Sequence, residues 1–431
     1  MTIGLIALAA LAVLLLVRVP VGIAMIIVGF FGTLVFTNPT AAFATMTGET
    51  IELAMKLEIM VIPFFLLMGN LAGVCGLSRD LFDVANALLG RMRGGLASAT
   101  VIGCGGFAAL SGSSVAAAVT MGKVAIPQMN RFGYDDRLAT GVVAAGGTLG
   151  ILIPPSAGFA VYGILTEQSI GKLFLAGVLP GILLMTLFIL VIMIVTAIWP
   201  HLGPAAAVMP RRERMQAVFR SLPFILVVLT TIGGIYLGVF TPMESAGVGA
   251  IATFFVALWR RSLSWSRIRL VLVETTTTTA MIYIILIGAS IFTPFLARTG
   301  IPSALSAAML DLELGVFGSM MLLMVAYLIL GTFLDGFALL ALTLPIVFPV
   351  IVSLGLDPIW FGVFMVVVLE MALISPPVGM NVFVLKSIVP DISLSHIYTG
   401  TLPFLLAMIV LIVLLVLWPD IALFLPETMG R

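Results

Sequence analysis

Two proline pairs constrain this chain more than any other feature. Ile151-Leu152-Ile153-Pro154-Pro155-Ser156 stands in the first half and Leu373-Ile374-Ser375-Pro376-Pro377-Val378 in the second, 222 positions later. Each pair follows a small polar turn at one fixed distance: Ser113 precedes Pro154 by 41 positions, and Asp335 precedes Pro376 by 41. A Pro-Pro pair removes two backbone donors and bars the residues before it from a helix. The surroundings are apolar and helix-like, so both pairs must interrupt helices. Lesser echoes accompany them: Pro127 with Pro349, Gly177 to Pro180 with Gly400 to Pro403, and Gly76 with Gly300. A chain that breaks its helices twice at matching places is an internal repeat, and in an apolar chain that is the mark of a secondary transporter.

Composition sets the solvent. Hydrophobic residues make up 61% of the chain and charged residues 9%, where a soluble domain carries about 25% charged residues. Apolar runs of roughly 18 residues recur along the whole length, each enough to cross a bilayer as a helix. They lack the alternation of a membrane β-barrel. A net charge of +1 argues against nucleic acid as a partner. Cys75 and Cys104 form neither a disulfide framework nor a zinc pattern. His201 and His396 fall in loops, far from each other and from any acidic cluster. No Gly-rich loop ends in Gly-Lys-Ser/Thr, so the chain is not expected to hydrolyse ATP itself, and no Ser/His or His-Glu-x-x-His pattern suggests an enzyme. No basic residue precedes the first apolar run, so a cleaved signal peptide is not expected.

The pattern predicts an all-α polytopic membrane protein with ten spanning helices, near 2–17, 20–37, 59–76, 138–165, 172–198, 222–240, 244–258, 279–297, 358–386 and 400–418. Two further stretches, 97–129 and 315–353, read as re-entrant hairpins, and 41–57 as an interfacial helix. The chain then divides into N-terminal scaffold helices (1–58), a first repeat (59–198), scaffold helices with basic loops (199–278), a second repeat (279–418) and a tail (419–431). Each repeat runs helix, hairpin, broken helix, helix. Basic residues fix the orientation. Placing Arg91/Arg93, Arg131/Arg137, Arg211/Arg212/Arg214/Arg220 and Arg260/Arg261/Arg267/Arg269 in the cytoplasm puts fifteen of the twenty basic residues there. Lys56, Lys172, Arg298 and Arg431 fall outside, and Lys123 lies within a hairpin. This parity makes the first hairpin cytoplasmic and the second periplasmic, so the repeats are inverted, with both termini outside.

Backbone that lacks helical hydrogen bonds cannot face lipid, and is tolerated at membrane depth where it is buried in protein or lines a cavity. The carbonyls freed before each proline pair are hard ligands suited to a small cation. The hairpin tips, Ser111-Gly112-Ser113-Ser114 in one half and Gly331-Thr332 with Asp335-Gly336 in the other, add hydroxyls and an acid. The plainer readings are a simple proline kink, and small-residue helix packing. The latter accounts for Gly103, Gly105, Gly106, Gly146 and Gly147. It accounts poorly for Asp335, since an ionisable residue in an apolar hairpin points to function. Glu370 carries the same argument with less force and could instead bond a helix end or hairpin backbone. Lys123 either snorkels to the interface or serves transport. Thr275–Thr279 reads as a flexible helix entry.

Four stretches resemble the large membrane subunit of the tripartite ATP-independent periplasmic (TRAP) transporters: Gly146–Ser156, Leu110–Ser114, Gly331–Asp335 and Glu370–Asn381. The opening Arg18–Met25 is similar too, and the resemblance covers essentially the whole chain. Ser375 stands where many relatives carry threonine, and Ser114 where some carry asparagine. The resemblance implies an elevator-type inverted-repeat fold in a bacterial or archaeal inner membrane, and sodium-driven import of an organic acid such as a C4-dicarboxylate or a sialic acid. It also implies two partners, a periplasmic substrate-binding protein and a small four-helix membrane subunit. By the family pattern one Na+ site uses Ser111, Ser113 and Ser114 with Gly150, Ile153 and Pro155. The other uses Gly331, Ala372, Ser375 and Val378, with Thr332 and Asp335 of its tip. Substrate would lie between the tips, near Ser113, Ser114, Ser156, Asp335 and Asn381. The competing readings are a proton-coupled organic-anion transporter or antiporter using Asp335 and Glu370, a non-transporting receptor or assembly subunit, and an intramembrane enzyme.

Overall fold

The computed structural model describes residues 1–205 and 210–429, so Arg431 lies outside the described residues. Among the described residues the regular structure is helical throughout, with no strand. Eight helical stretches, from Leu57–Val74 to Leu394–Leu417, are long and apolar enough to cross a membrane.

In chain order the helices are α1 (Thr2–Leu16), α2 (Val21–Phe36), α3 (Pro39–Met55), α4 (Val61–Val74), α5 (Leu77–Leu89), α6 (Gly95–Ser111), α7 (Ser114–Arg131), α8 (Asp136–Leu152), α9 (Ala157–Thr166) and α10 (Ile170–Ile198). They continue as α11 (Arg211–Tyr236), α12 (Pro242–Trp259), α13 (Trp265–Arg298), α14 (Ile301–Asp311), α15 (Gly315–Gly331), α16 (Gly336–Ser353), α17 (Pro358–Ala372), α18 (Met380–Ile388), α19 (Leu394–Leu417) and α20 (Asp420–Thr428).

The repeat seen in sequence is held in register by the helix ends. Ser114 and Gly336 open α7 and α16, Arg131 and Ser353 close them, Asp136 and Pro358 open α8 and α17, and Thr166 and Ile388 close α9 and α18; each pair is 222 positions apart. The caps repeat as well. Asp135 and Asp357 cap α8 and α17 through their carboxylates. Ser113 and Asp335 cap α7 and α16. Such a cap satisfies amides that the helix leaves open at its start, and side-chain oxygens do this best.

The pair α6–α7 packs together as the first hairpin; in the matching second hairpin α15 and α16 are splayed, α15 lying on α17 and α16 on α14, and α8–α9 and α17–α18 form the broken helices. The halves interlock. The returning arm of the first hairpin, α7, packs on α18, and the returning arm of the second, α16, packs on α9. Likewise α8 packs on α19 and α17 on α10. Small residues let backbones touch here: a Cβ on Gly141 of α8 would lie 2.2 Å from the Gly400 carbonyl of α19. Around this core, α2 lies along α13, where a Cβ on Gly288 would meet the Gly22 carbonyl at 2.4 Å, and α4 packs on α12.

Ion pairs join residues assigned to the same side of the membrane. Lys56 pairs with Glu52 and Glu167 on the predicted outer side, at 3.5 and 3.1 Å. Arg260 pairs with Asp80 on the predicted inner side, and donates to the Arg220 carbonyl at 2.8 Å.

Several local expectations are corrected. α13 starts at Trp265, so Thr275–Thr279 lie inside a continuous helix and not at its entry. Thr275 accepts a hydrogen bond from Asn70 Nδ2 at 2.9 Å. The amphipathic α5 and α14 precede the two hairpins, α20 occupies part of the tail, and His396 sits in the first turn of α19 and not in a loop.

Candidate functional site

The first site grows from the way α6 must turn to meet α7. α6 ends at Ser111, Gly112 takes a left-handed backbone (φ +57°), and Ser113 is extended. Glycine adopts that conformation without steric penalty. Ser113 Oγ accepts from the Ala116 amide at 3.3 Å. α8 ends at Leu152, and the chain from Ile153 to Ser156 is non-helical until Ser156 caps α9. In a continuous helix the carbonyls of Gly150 and Ile151 would accept from residues 154 and 155. Both are proline, so those carbonyls have no helical donor.

Tip and broken helix touch through backbone. A Cβ on Gly112 would lie 3.0 Å from the Pro155 carbonyl oxygen. A Cβ on Gly150 would lie 2.7 Å from Ser113 C and Ser114 N. The structure thus brings Ser113, Ser114, Gly150 and Pro155 together. Ser111 joins them beside Gly112, and its buried hydroxyl has no hydrogen-bond partner. Ile153 follows Leu152 directly, with its side chain against the Gly181 and Gly105 positions. A partnerless hydroxyl in the tip and carbonyls without helical donors in the broken helix are hard oxygens, the kind of donor a small hard cation takes. Among the described residues no cluster of three His, Cys, Asp or Glu side chains is placed to hold a metal ion.

The second site repeats the plan with differences. A Cβ on Gly331 would lie 2.4 Å from the Ala372 Cβ, so the second tip also rests on its broken helix. Asp335 is half-buried, and its Oδ1 accepts from the amides of Phe337 and Ala338, each at 3.0 Å. The acid that sequence reasoning set apart is therefore, at least, a helix cap. Thr332 Oγ1 donates to the Ile329 carbonyl and Ser375 Oγ to that of Met371, both at 2.7 Å. Their oxygens keep lone pairs for a cation. The Ala372 carbonyl accepts from the Ser375 amide, and Tyr398 donates to the Val378 carbonyl at 2.6 Å. Hydrogen bonds thus occupy the second site more fully than the first.

The residues expected at substrate divide between these tips. Ser156 is buried and committed to the Phe159 amide at 3.4 Å. Asn381 is fully buried; its Nδ2 donates to the Ala144 carbonyl at 3.4 Å, and its Oδ1 has no partner. A Cβ on Gly147 would lie 3.1 Å from the Ser114 carbonyl oxygen and 3.3 Å from Asn381 Nδ2, which places Asn381 beside the first tip. No hydrogen bond links Asp335 to this group among the described residues. Lys123 and Arg298 are exposed on their helices. A cavity of about 730 Å³ lies away from the tips, lined by Lys56, Glu58, Glu167 and Thr241.

Beyond the residues expected from the sequence, Glu370 joins the first tip: Ser114 Oγ donates to its Oε2 in a buried bond of 2.6 Å. A signal existed: the repeat aligns Glu370 with Thr148, so an acid replaces a neutral residue in an apolar helix.

Residues 8–421 match the family model described as tripartite ATP-independent periplasmic transporter, DctM component. The chain is 40% identical over 373 residues to the C4-dicarboxylate TRAP transporter large permease protein DctM of Pseudomonas aeruginosa, covering 86% of this chain and 87% of that protein. It is 32% identical over 419 residues to the sialic acid TRAP transporter large permease protein SiaM of Vibrio cholerae, covering 96% of each. In structure it is similar to the YdaH transporter of Alcanivorax borkumensis, with a TM-score of 0.62 over 88% of both chains at 16% identity, a likeness of fold.

Proposed function

Because the chain belongs to the DctM component family of the tripartite ATP-independent periplasmic transporters, we propose that it is the permease subunit of a sodium-driven importer of an organic acid. It works in the inner membrane with a periplasmic binding protein and a small membrane subunit. Its relatives bear names for C4-dicarboxylate, sialic acid and isethionate transport, so the proposed substrate class is an organic acid.

One observation carries the cation reading. The Ser111 hydroxyl is buried without a partner, where the first tip meets a helix whose last carbonyls face two prolines. A sodium ion would join these oxygens and draw tip and broken helix together. The second tip, with Gly331, Thr332, Asp335, Ala372, Ser375 and Val378, would hold another. Substrate would bind beside Ser113, Ser114, Ser156, Asp335 and Asn381, where sodium offsets its carboxylate charge. Each hairpin with its broken helix would move as one body against the scaffold, an elevator motion. Closing a tip exposes unpaired carbonyls to an apolar surface unless the ligand is present, and that couples ion to substrate.

The test is uptake into proteoliposomes holding the complete membrane complex, with purified binding protein and a panel of organic acids at fixed pH. The expected result is accumulation driven by an inward sodium gradient. Uptake that follows a pH gradient and ignores sodium would overturn the proposal in favour of proton coupling.

A further inference from the structure

Glu370 is the one carboxyl among the described residues that is fully buried, at 1% exposure. Its side-chain hydrogen bond is to Ser114 Oγ. The ion pairs among the described residues involve Lys56 and Arg260, so no basic side chain among them pairs with this acid. Such a group at membrane depth is costly unless it has a task.

The repeat supplies an internal control for what that task is. The bond crosses from α17 of the second repeat to the first residue of α7, at the tip of the first hairpin. Shifted by 222 positions, the pair Ser114–Glu370 becomes Gly336–Thr148, and Asn381 becomes Phe159. Thr148 turns its hydroxyl back to the Ala145 carbonyl of its own helix, at 2.6 Å. The fold is thus built at the equivalent place without any cross-repeat polar link. Packing does not require Glu370; something particular to the first tip does. Ser114 also abuts Gly150, where a Cβ would lie 2.7 Å from the Ser114 amide nitrogen. Whatever fixes Ser114 therefore fixes the distance between the tip and the undonated carbonyls.

We propose that Glu370 is a positioning residue for cation binding: through Ser114 it holds the first hairpin tip against the second repeat, so that the affinity of the first site is set from the other half of the molecule. The inference rests on the sodium reading of that tip. The link runs one way, because Gly336 gives the second tip no hydroxyl to hold. The carboxyl serves as a hydrogen-bond acceptor, a role that a glutamine oxygen also fills.

Sodium titration of uptake in the reconstituted complex tests this. Glu370→Leu should raise the half-saturating sodium concentration about tenfold, the loss expected for one buried hydrogen bond, with the maximal rate at saturating sodium largely kept. Glu370→Gln should stay within about twofold of wild type. Where Glu370→Leu does not accumulate, Glu370→Thr carries the same expectation as Leu, since threonine is already accommodated at the equivalent position. A wild-type sodium dependence in Glu370→Thr would overturn the inference. So would a Gln variant as impaired as the Leu or Thr variant, which would show that the carboxyl's charge or proton is used. Wild-type uptake indifferent to sodium sinks the underlying reading instead. Sodium-stimulated wild-type uptake with unshifted Glu370 variants sinks the inference alone.

Discussion

Gly150→Ala is the smallest change that separates the first tip from its broken helix. The added methyl would stand 2.7 Å from Ser113 C and Ser114 N and 2.8 Å from Ser113 O, where ordinary contact begins at 3.4 Å. All three atoms are backbone, so no side chain can rotate aside, and the tip must retreat by about 0.7 Å. Ligand distances in a metal site hold to about 0.2 Å, so a displacement of that size leaves the ligand set open. Overpacking of this kind costs about 1–3 kcal/mol, or roughly 5- to 150-fold in sodium affinity if it falls on the bound state. The assay is the sodium dependence of uptake, read beside thermal unfolding of the detergent-purified protein. Gly247→Ala and Gly233→Ala are the controls, because nothing lies within 4 Å of a Cβ at either position. A folded Gly150→Ala protein with the sodium half-saturation of the controls would refute the reasoning.

Three further outcomes follow from the geometry. Gly331→Ala should impair sodium-dependent uptake by driving its Cβ to within contact of Ala372 Cβ, and adding Ala372→Gly should restore it; failure of that rescue in a folded double variant would show that the contact does not matter. Ser113→Ala and Asp335→Ala should abolish sodium-stimulated uptake while the protein remains in the membrane, whereas Asp335→Asn keeps an oxygen for the amides of Phe337 and Ala338 and so isolates the contribution of charge. In a background without Cys75 and Cys104, an impermeant thiol reagent should label a cysteine at Lys56 from outside and one at Arg261 from inside, and labelling of both from one side would break the inverted topology.

How much was legible in the sequence differs from element to element. The proline pairs and hairpins were legible because their signals are local: a proline removes a donor wherever it stands, and the helices of the two halves open and close at positions 222 apart. α5 leaves no clear hydropathy peak because it mixes charges with apolar residues, and α14 leaves none because it is short and rich in serine and alanine. The threonine run misled because β-branched residues are weak helix formers, yet α13 carries it, with Thr275 tied to Asn70. Asp335 looked functional by being an acid in an apolar hairpin, and only the structure showed its two capped amides. The repeat singles out Glu370 as an acid where its counterpart is neutral, but the Ser114–Glu370 bond joins residues 256 positions apart, so only tertiary packing names the partner.

The most direct test of the whole account is the shape of the sodium titration of uptake in the reconstituted complex at fixed pH and saturating substrate. Two cooperating sites predict a sigmoidal curve with a Hill coefficient above one, falling towards one when Gly150→Ala disables the first site. A wild-type rate that is flat with sodium, or a Gly150→Ala curve that retains the wild-type coefficient and midpoint, would contradict it.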